Sequence, residues 1–338
     1  MQIKQLELEP SIVPASPLIG IPPLVKTLLD QGAALALNLS GGVDSQALVY
    51  ELATLYRQNK WNGPILAIHC DMGQTEWPQT KAICEQIAKK SGIELIIVEA
   101  DLLNAWQQRM DKLMLEGNTK PFWSDAKNRY CTSLKVGALH QYLRKFKCLV
   151  SAIGLRAEES DNRAGKAQTS LCKISTSRIL QVVGYKTIRV KNKERLRTVK
   201  EPYRNVLAEE AYDRWVQQGM IGRFAIDWLP LHAVKKNTIW QICGHSFEEL
   251  QERRALHNAG FRTEALTGWN CHPAYVWGAD RLSCALCVLG NWATLKTGAI
   301  HNTELFQTLR EMEIRSGKTF QNGRSLKQFE GFIPPIQL

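Results

Sequence analysis

The stretch that most constrains this chain is residues 33–56. Ala33-Ala34-Leu35-Ala36-Leu37-Asn38-Leu39 is an apolar run of strand length, Gly41-Gly42 breaks it, and Leu48, Leu52 and Leu55 then recur at helical spacing. A buried strand, a tight turn and a helix in that order make half of a βαβ unit, which requires a parallel partner strand. The pattern repeats, with expected strands at 65–70, 94–98 and 148–154 and helices at 79–90, 102–115 and 133–145. This alternation predicts an α/β fold with a doubly wound parallel sheet and a ligand site at the carboxyl ends of the strands.

The rest of the chain frames that unit. Pro10, Pro14, Pro17, Pro22 and Pro23 mark residues 1–23 as an extended lead-in. The nucleotide-type domain is expected over 24–235, with a polar, basic excursion at 158–200 in which 186–200 holds seven basic residues and one acidic. Signals from 207 onward are mostly helical, and 236–338 is expected to be a helical C-terminal region carrying a cysteine group. The start of the chain lacks the basic-then-apolar pattern of a signal peptide, and no apolar run approaches the ~20 residues of a membrane helix, which points to a cytoplasmic protein without membrane partners. In such a compartment nine cysteines read as metal ligands or reactive thiols rather than disulfides. A net charge of +11 suits polyanions, either nucleotides or nucleic acid.

Ser40-Gly41-Gly42-Val43-Asp44-Ser45 occupies the strand-to-helix turn, where backbone N–H groups and the helix dipole favour an anion. No Lys precedes the Ser, so this is not the loop that handles a γ-phosphate in ordinary ATPases. SGGxDS at this place resembles the PP-loop of the ATP pyrophosphatases, which cleave ATP to AMP and pyrophosphate. The resemblance implies Asp44 as the Mg²⁺ ligand, Ser40, Gly41, Gly42, Val43 and Ser45 as phosphate contacts, and an adenine nucleotide α-hydrolase-like fold over 24–235. An ordinary Gly turn with a capping Asp or Ser is the bland alternative. The second strand ends in His69-Cys70-Asp71-Met72-Gly73, which resembles the His-x-Asp-x-Gly of phosphoadenylylsulfate (PAPS) reductases, and His69 and Asp71 are candidates for the nucleotide and its metal.

Two later segments carry basic residues toward the same edge: Arg129-Tyr130-Cys131-Thr132-Ser133-Leu134-Lys135, and Gly154 to Arg163, which includes Arg156, Glu159 and Ser160. Positive charge beside a phosphate loop stabilises a pyrophosphate leaving group. Lys135, Arg156 and Arg163 are the catalytic candidates; Arg129, Glu159 and Ser160 are binding candidates. Both segments resemble the Cys-x-x-x-Lys and Gly-x-Arg-x-x-x-Ser-x-x-Arg elements of the PAPS reductases.

Cys284-Ala285-Leu286-Cys287 is a C-x-x-C, with Cys271 upstream and Cys131 a further thiol. By residues alone it could be a metal site, a redox dithiol or a buried pair. The family resemblance favours Cys131, Cys271, Cys284 and Cys287 as ligands of a [4Fe–4S] cluster, with Zn²⁺ the alternative. Thr132 stands where adenylylsulfate reductases carry a second adjacent cysteine. No cysteine follows Cys287, so the C-terminal thiol nucleophile of PAPS reduction is missing. The expected activity is therefore ATP pyrophosphatase chemistry that adenylates an acceptor or couples to sulfur transfer, with nucleic acid or a sulfur-donor protein as partner. Cluster-bearing relatives act in DNA phosphorothioation, and others lie beside CRISPR loci. Two alternatives stay open: reductase chemistry with Cys172 or Cys243 as the thiol, and a nucleotide-binding accessory subunit without turnover.

Overall fold

A computed structural model of the protein describes residues 19–118, 120, 122–123, 129–176, 183–190, 193–200 and 207–333, with backbone alone over 183–200. Most of the expected lead-in, residues 1–18, lies outside the described residues. The strands are β1 (Ala34–Asn38), β2 (Ile65–Asp71), β3 (Glu94–Glu99), β4 (Cys148–Ala152), β5 (Thr169–Leu171), β6 (Val183–Val190), β7 (Lys193–Lys200) and β8 (Phe224–Trp228). The helices are α1 (Pro23–Asp30), α2 (Val43–Gln58), α3 (Thr80–Ser91), α4 (Leu102–Leu115), α5 (Tyr130–Leu143), α6 (Asp161–Ala164), α7 (Ala208–Gln217), α8 (Lys236–Ile242), α9 (Phe247–Asn258), α10 (Arg262–Leu266), α11 (Trp292–His301) and α12 (Thr303–Ser316).

Six strands form one sheet in the order β3-β2-β1-β4-β8-β5, parallel except at the β5–β8 edge. Because side chains alternate along a strand, each strand feeds two cores. Leu35, Leu37, Val150 and Ile226 face Leu28 of α1, Leu52 of α2, Ile87 of α3 and Trp240 of α8. Ala36, Ile68, Leu149 and Ala225 face Trp106 of α4, Leu139 of α5, Leu295 of α11 and Leu309 of α12. Helices on both faces of a mostly parallel sheet make the fold the expected doubly wound α/β type. Order reverses between β1 and β4, so the crevice where such sheets bind ligands lies beside the turn that follows β1. No helix among the described residues is long and apolar enough to cross a membrane.

Two features differ from the sequence reading. Residues 224–228 are a buried strand rather than part of a helical run: Phe-Ala-Ile-Asp-Trp is too short for periodicity to separate it from a helix, and only its pairing with β4 and β5 settles it. The polar excursion contains β5 and the antiparallel ribbon β6–β7, paired from Val183↔Lys200 to Val190↔Lys193. The side chains of the basic run lie outside the description.

Candidate functional site

The turn after β1 is held by its own side chains. Ser40 N–H donates to Ser45 Oγ at 3.1 Å, the two hydroxyl oxygens are 3.1 Å apart, and the Ser45 hydroxyl reaches the Gly42 carbonyl at 2.8 Å. Gly41 has φ 75°, the left-handed region, and a Cβ there would lie 3.1 Å from Thr80 Cγ2. Gly42 is the N-cap of α2 and brings no capping side chain, so the first turn of a 16-residue helix meets the crevice as backbone. From the other side Gly154, just past β4, comes so close that a Cβ on it would be 3.0 Å from the Asp44 carbonyl oxygen. The hexapeptide is thus a tight glycine turn at the switch point, with its Ser40 N–H held by Ser45 and its Val43 N–H by Tyr275.

Asp44 is the acidic side chain of the cradle. Arg156, 6% exposed, pairs through Nε with the Asp44 carboxylate and through Nη1 with Glu158. Glu159 accepts the Arg156 backbone N–H at 3.1 Å and pairs with Arg163, while Glu158 accepts the Lys236 N–H at 2.8 Å. Burial raises the Asp44 pKa above its ordinary value, against the pull of Arg156 and Arg163. Asp44 is thus a desolvated carboxylate paired with Arg156, with Arg163 further off. Ser160 is the exposed N-cap residue of α6, its side chain making no capping bond.

His69 is fully buried; Nδ1 lies 3.0 Å from the Leu39 carbonyl, and Nε2 lies 3.1 Å from Glu76 without hydrogen-bond alignment. Burial disfavours the imidazolium, but the Cys84 thiol and Glu76 carboxylate outweigh it and lift the pKa to about 10. His69 thus braces the strand end under the cradle. The Asp71 carboxylate accepts the Gly73 N–H at 2.9 Å, capping the turn that follows β2. Arg129 is exposed at the N-cap of α5, where its carbonyl accepts the Ser133 N–H at 3.1 Å. Lys135, one turn on, is an electrostatic neighbour of Cys70 and Cys284.

The cysteines divide into two groups. Burial pushes the Cys284 thiol up to about 12, reinforced by Cys287, Glu76 and Cys131 and opposed by Lys135. Ala285 N–H donates to the Thr75 carbonyl at 2.9 Å, which fixes the C-x-x-C at the carboxyl end of β2. Cys271 is placed elsewhere, next to Cys243, whose thiol is 3.6 Å from the Val43 carbonyl. Among the described residues no group of three or more His, Cys, Asp or Glu side chains is arranged to hold a metal ion. The four-thiolate set expected from sequence is not assembled, because Cys271 is drawn under the cradle.

Sequence reasoning missed the residues that join the cysteine segment to the cradle. The Tyr275 hydroxyl accepts the Val43 N–H at 3.1 Å, and Leu282 Cβ would be 3.4 Å from a Cβ on Gly42. The His272 ring lies 3.3 Å from the Thr80 hydroxyl. Apart from the Leu282-to-Cys284 spacing, these pairings span about 200 residues and leave no local signal.

A model of the phosphoadenosine phosphosulfate reductase domain matches residues 34–271. None of the curated proteins matches the chain. Among solved structures, the chain is similar to the U34-tRNA thiolase NcsA from Methanococcus maripaludis with its [4Fe-4S] cluster, at 16% identity over 64% of this chain and 58% of that one, TM-score 0.37. It is also similar to the NAD+ synthetase from Burkholderia pseudomallei, at 18% identity over 40% of this chain and 59% of that one, TM-score 0.27. In both cases the chain covers just under three fifths of the neighbour's length.

Proposed function

This chain belongs to the phosphoadenosine phosphosulfate reductase domain family, and from that premise we propose that it binds ATP at residues 40–45 and cleaves it between the α and β phosphates, passing AMP to an acceptor in a reaction that serves sulfur transfer. The observation that carries this reading is the glycine turn at the α2 N-terminus, its Ser40 and Val43 N–H groups held by the Ser45 and Tyr275 hydroxyls, with Asp44 and the buried Arg156 beside it. Backbone N–H groups would hold the phosphate oxygens, with Ser40 and Ser45 adding hydroxyls. Mg²⁺, held by Asp44, would offset phosphate charge. Arg156 and Arg163, fixed by Glu158 and Glu159, and Lys135 from α5 supply the positive charge that a departing pyrophosphate needs.

The acceptor we favour is a nucleic acid, on the net charge of +11 and the basic composition of the β6–β7 ribbon. The thiols of Cys131, Cys284 and Cys287, gathered beside Lys135, are the groups proposed to meet a sulfur donor. Analogue hydrolysis tests the bond assignment. With Mg²⁺, β,γ-methylene-ATP should still release AMP, whereas α,β-methylene-ATP should bind and remain intact. Phosphate release from the α,β-methylene analogue would place cleavage at the γ-phosphate and remove the proposal.

A further inference from the structure

Asp227 lies on β8, between β4 and the edge strand β5, with no part in the cradle. It pairs in register with Ser151 of β4, and Asn38 of β1 donates through Nδ2 to Ser151 Oγ at 3.0 Å and to the Ala152 carbonyl at 2.9 Å. Asn38, Ser151 and Asp227 therefore form a polar row across three adjacent strands, spanning about 10 Å at two strand spacings. The row begins two residues before Ser40 and stands on the sheet face that α5 covers lower down through Leu139 and Leu143. Protein surrounds the Asp227 carboxyl closely, yet solvent still reaches the residue. A buried carboxylate without a paired cation costs stability, which makes its place here a candidate for function.

The groups that face Asp227 are few. Ser170 of β5 and Ser151 of β4 flank it in register, the Cys172 thiol is a polar neighbour, and Lys166, three residues past Arg163, is the nearby cation. His140 of α5 reaches the set only through Cys172, 3.8 Å from its Sγ. No arginine or lysine pairs with the carboxylate among the described residues. Burial raises its pKa to about 6, so at neutral pH it is ionised and still basic enough to take a proton.

We propose that the Asn38–Ser151–Asp227 row is the acceptor subsite and that Asp227 is the general base that deprotonates the attacking group. The inference rests on the adenylation reading above and narrows it. An oxygen of the acceptor forms the bond to the α-phosphorus, its proton passes to the Asp227 carboxylate, and the bond from the α-phosphorus to the bridging oxygen breaks, with pyrophosphate leaving with the electron pair. A carboxylate acceptor arrives ionised and needs no base. Asp227 therefore selects an acceptor that must lose a proton, a hydroxyl or the –NH–CO– edge of a nucleobase.

The test uses the full-length protein with water as the nucleophile, measuring AMP formation from ATP and Mg²⁺ between pH 5 and 8 alongside ATP affinity. Wild type should lose rate tenfold per pH unit below about 6. Asp227→Asn should bind ATP normally, fall about a hundredfold at neutral pH and lose the acid limb, and Asp227→Glu should restore that limb. Ser151→Ala removes a hydrogen bond that favours the ionised carboxylate, so the limb should move to higher pH even if Asp227→Asn fails to fold. An unchanged limb in Ser151→Ala, or a wild-type profile in Asp227→Asn, overturns the assignment of the base while AMP formation leaves the adenylation reading standing. Absence of AMP from wild type at every pH defeats both.

Discussion

Arg156 is the residue on which the site's electrostatics converge, since one buried guanidinium holds Asp44 and Glu158 at once. Arg156→Ala would leave two partly buried carboxylates facing each other, and urea unfolding should show a loss of about 3 kcal/mol; a loss under about 0.5 kcal/mol would mean that water screens the cluster. His69 gives a pH test. Its folded pKa of about 10 lies above the ordinary 6.5, so the stability it contributes is complete below pH 6.5 and is lost as pH rises through 10. Glu76→Gln should flatten that alkaline loss in thermal scans from pH 6 to 10, and an unchanged slope would remove Glu76 as the cause. Cys271 sits with Cys243 rather than with Cys284. Cys271→Ala should therefore keep whatever iron or zinc anaerobically purified wild type carries, by elemental analysis, and loss of metal would return Cys271 to the ligand set.

At the scale of elements, the contact between the turn after β4 and the turn after β1 sets the cradle's shape. Gly154→Ala places a Cβ 3.0 Å from the Asp44 carbonyl oxygen, tighter than packed atoms tolerate, so the loop must shift. ATP titration should show at least tenfold weaker binding with far-UV circular dichroism unchanged, and undiminished affinity would show that the loop yields without consequence. How much of this was legible in the sequence depends on range. The β1–turn–α2 unit is encoded within 24 contiguous residues, so its apolar run, glycines and leucine spacing expose it directly. The strand Phe224–Trp228 is five residues with a charge in it, and its partner β4 lies about 75 residues earlier; neither period nor neighbours reveal it, and Asp227 went unnoticed with it. Tyr275 and Leu282 escaped for the same reason: their meaning is a contact with Val43 and Gly42, and a single chain read locally carries no trace of such a contact.

At the scale of the whole molecule, the cysteine-bearing C-terminal region shares both cores with the sheet. Trp240 and Tyr275 pack with Leu35 and Leu52, and Leu295 and Phe306 pack with Ile68 and Leu149. The full chain should therefore unfold in one calorimetric transition with matching van't Hoff and calorimetric enthalpies, whereas two resolved transitions would make 236–338 a separate unit. This shared packing ties the C-x-x-C segment to the cradle through Tyr275, Leu282 and Ala285, so nucleotide site and thiols are expected to respond to one another. The account stands on the bond that is broken. Incubating the purified protein with α-labelled ATP and Mg²⁺ and separating the nucleotides should yield AMP with an equal amount of pyrophosphate, lost in Asp44→Ala; ADP with inorganic phosphate from the wild type would contradict it.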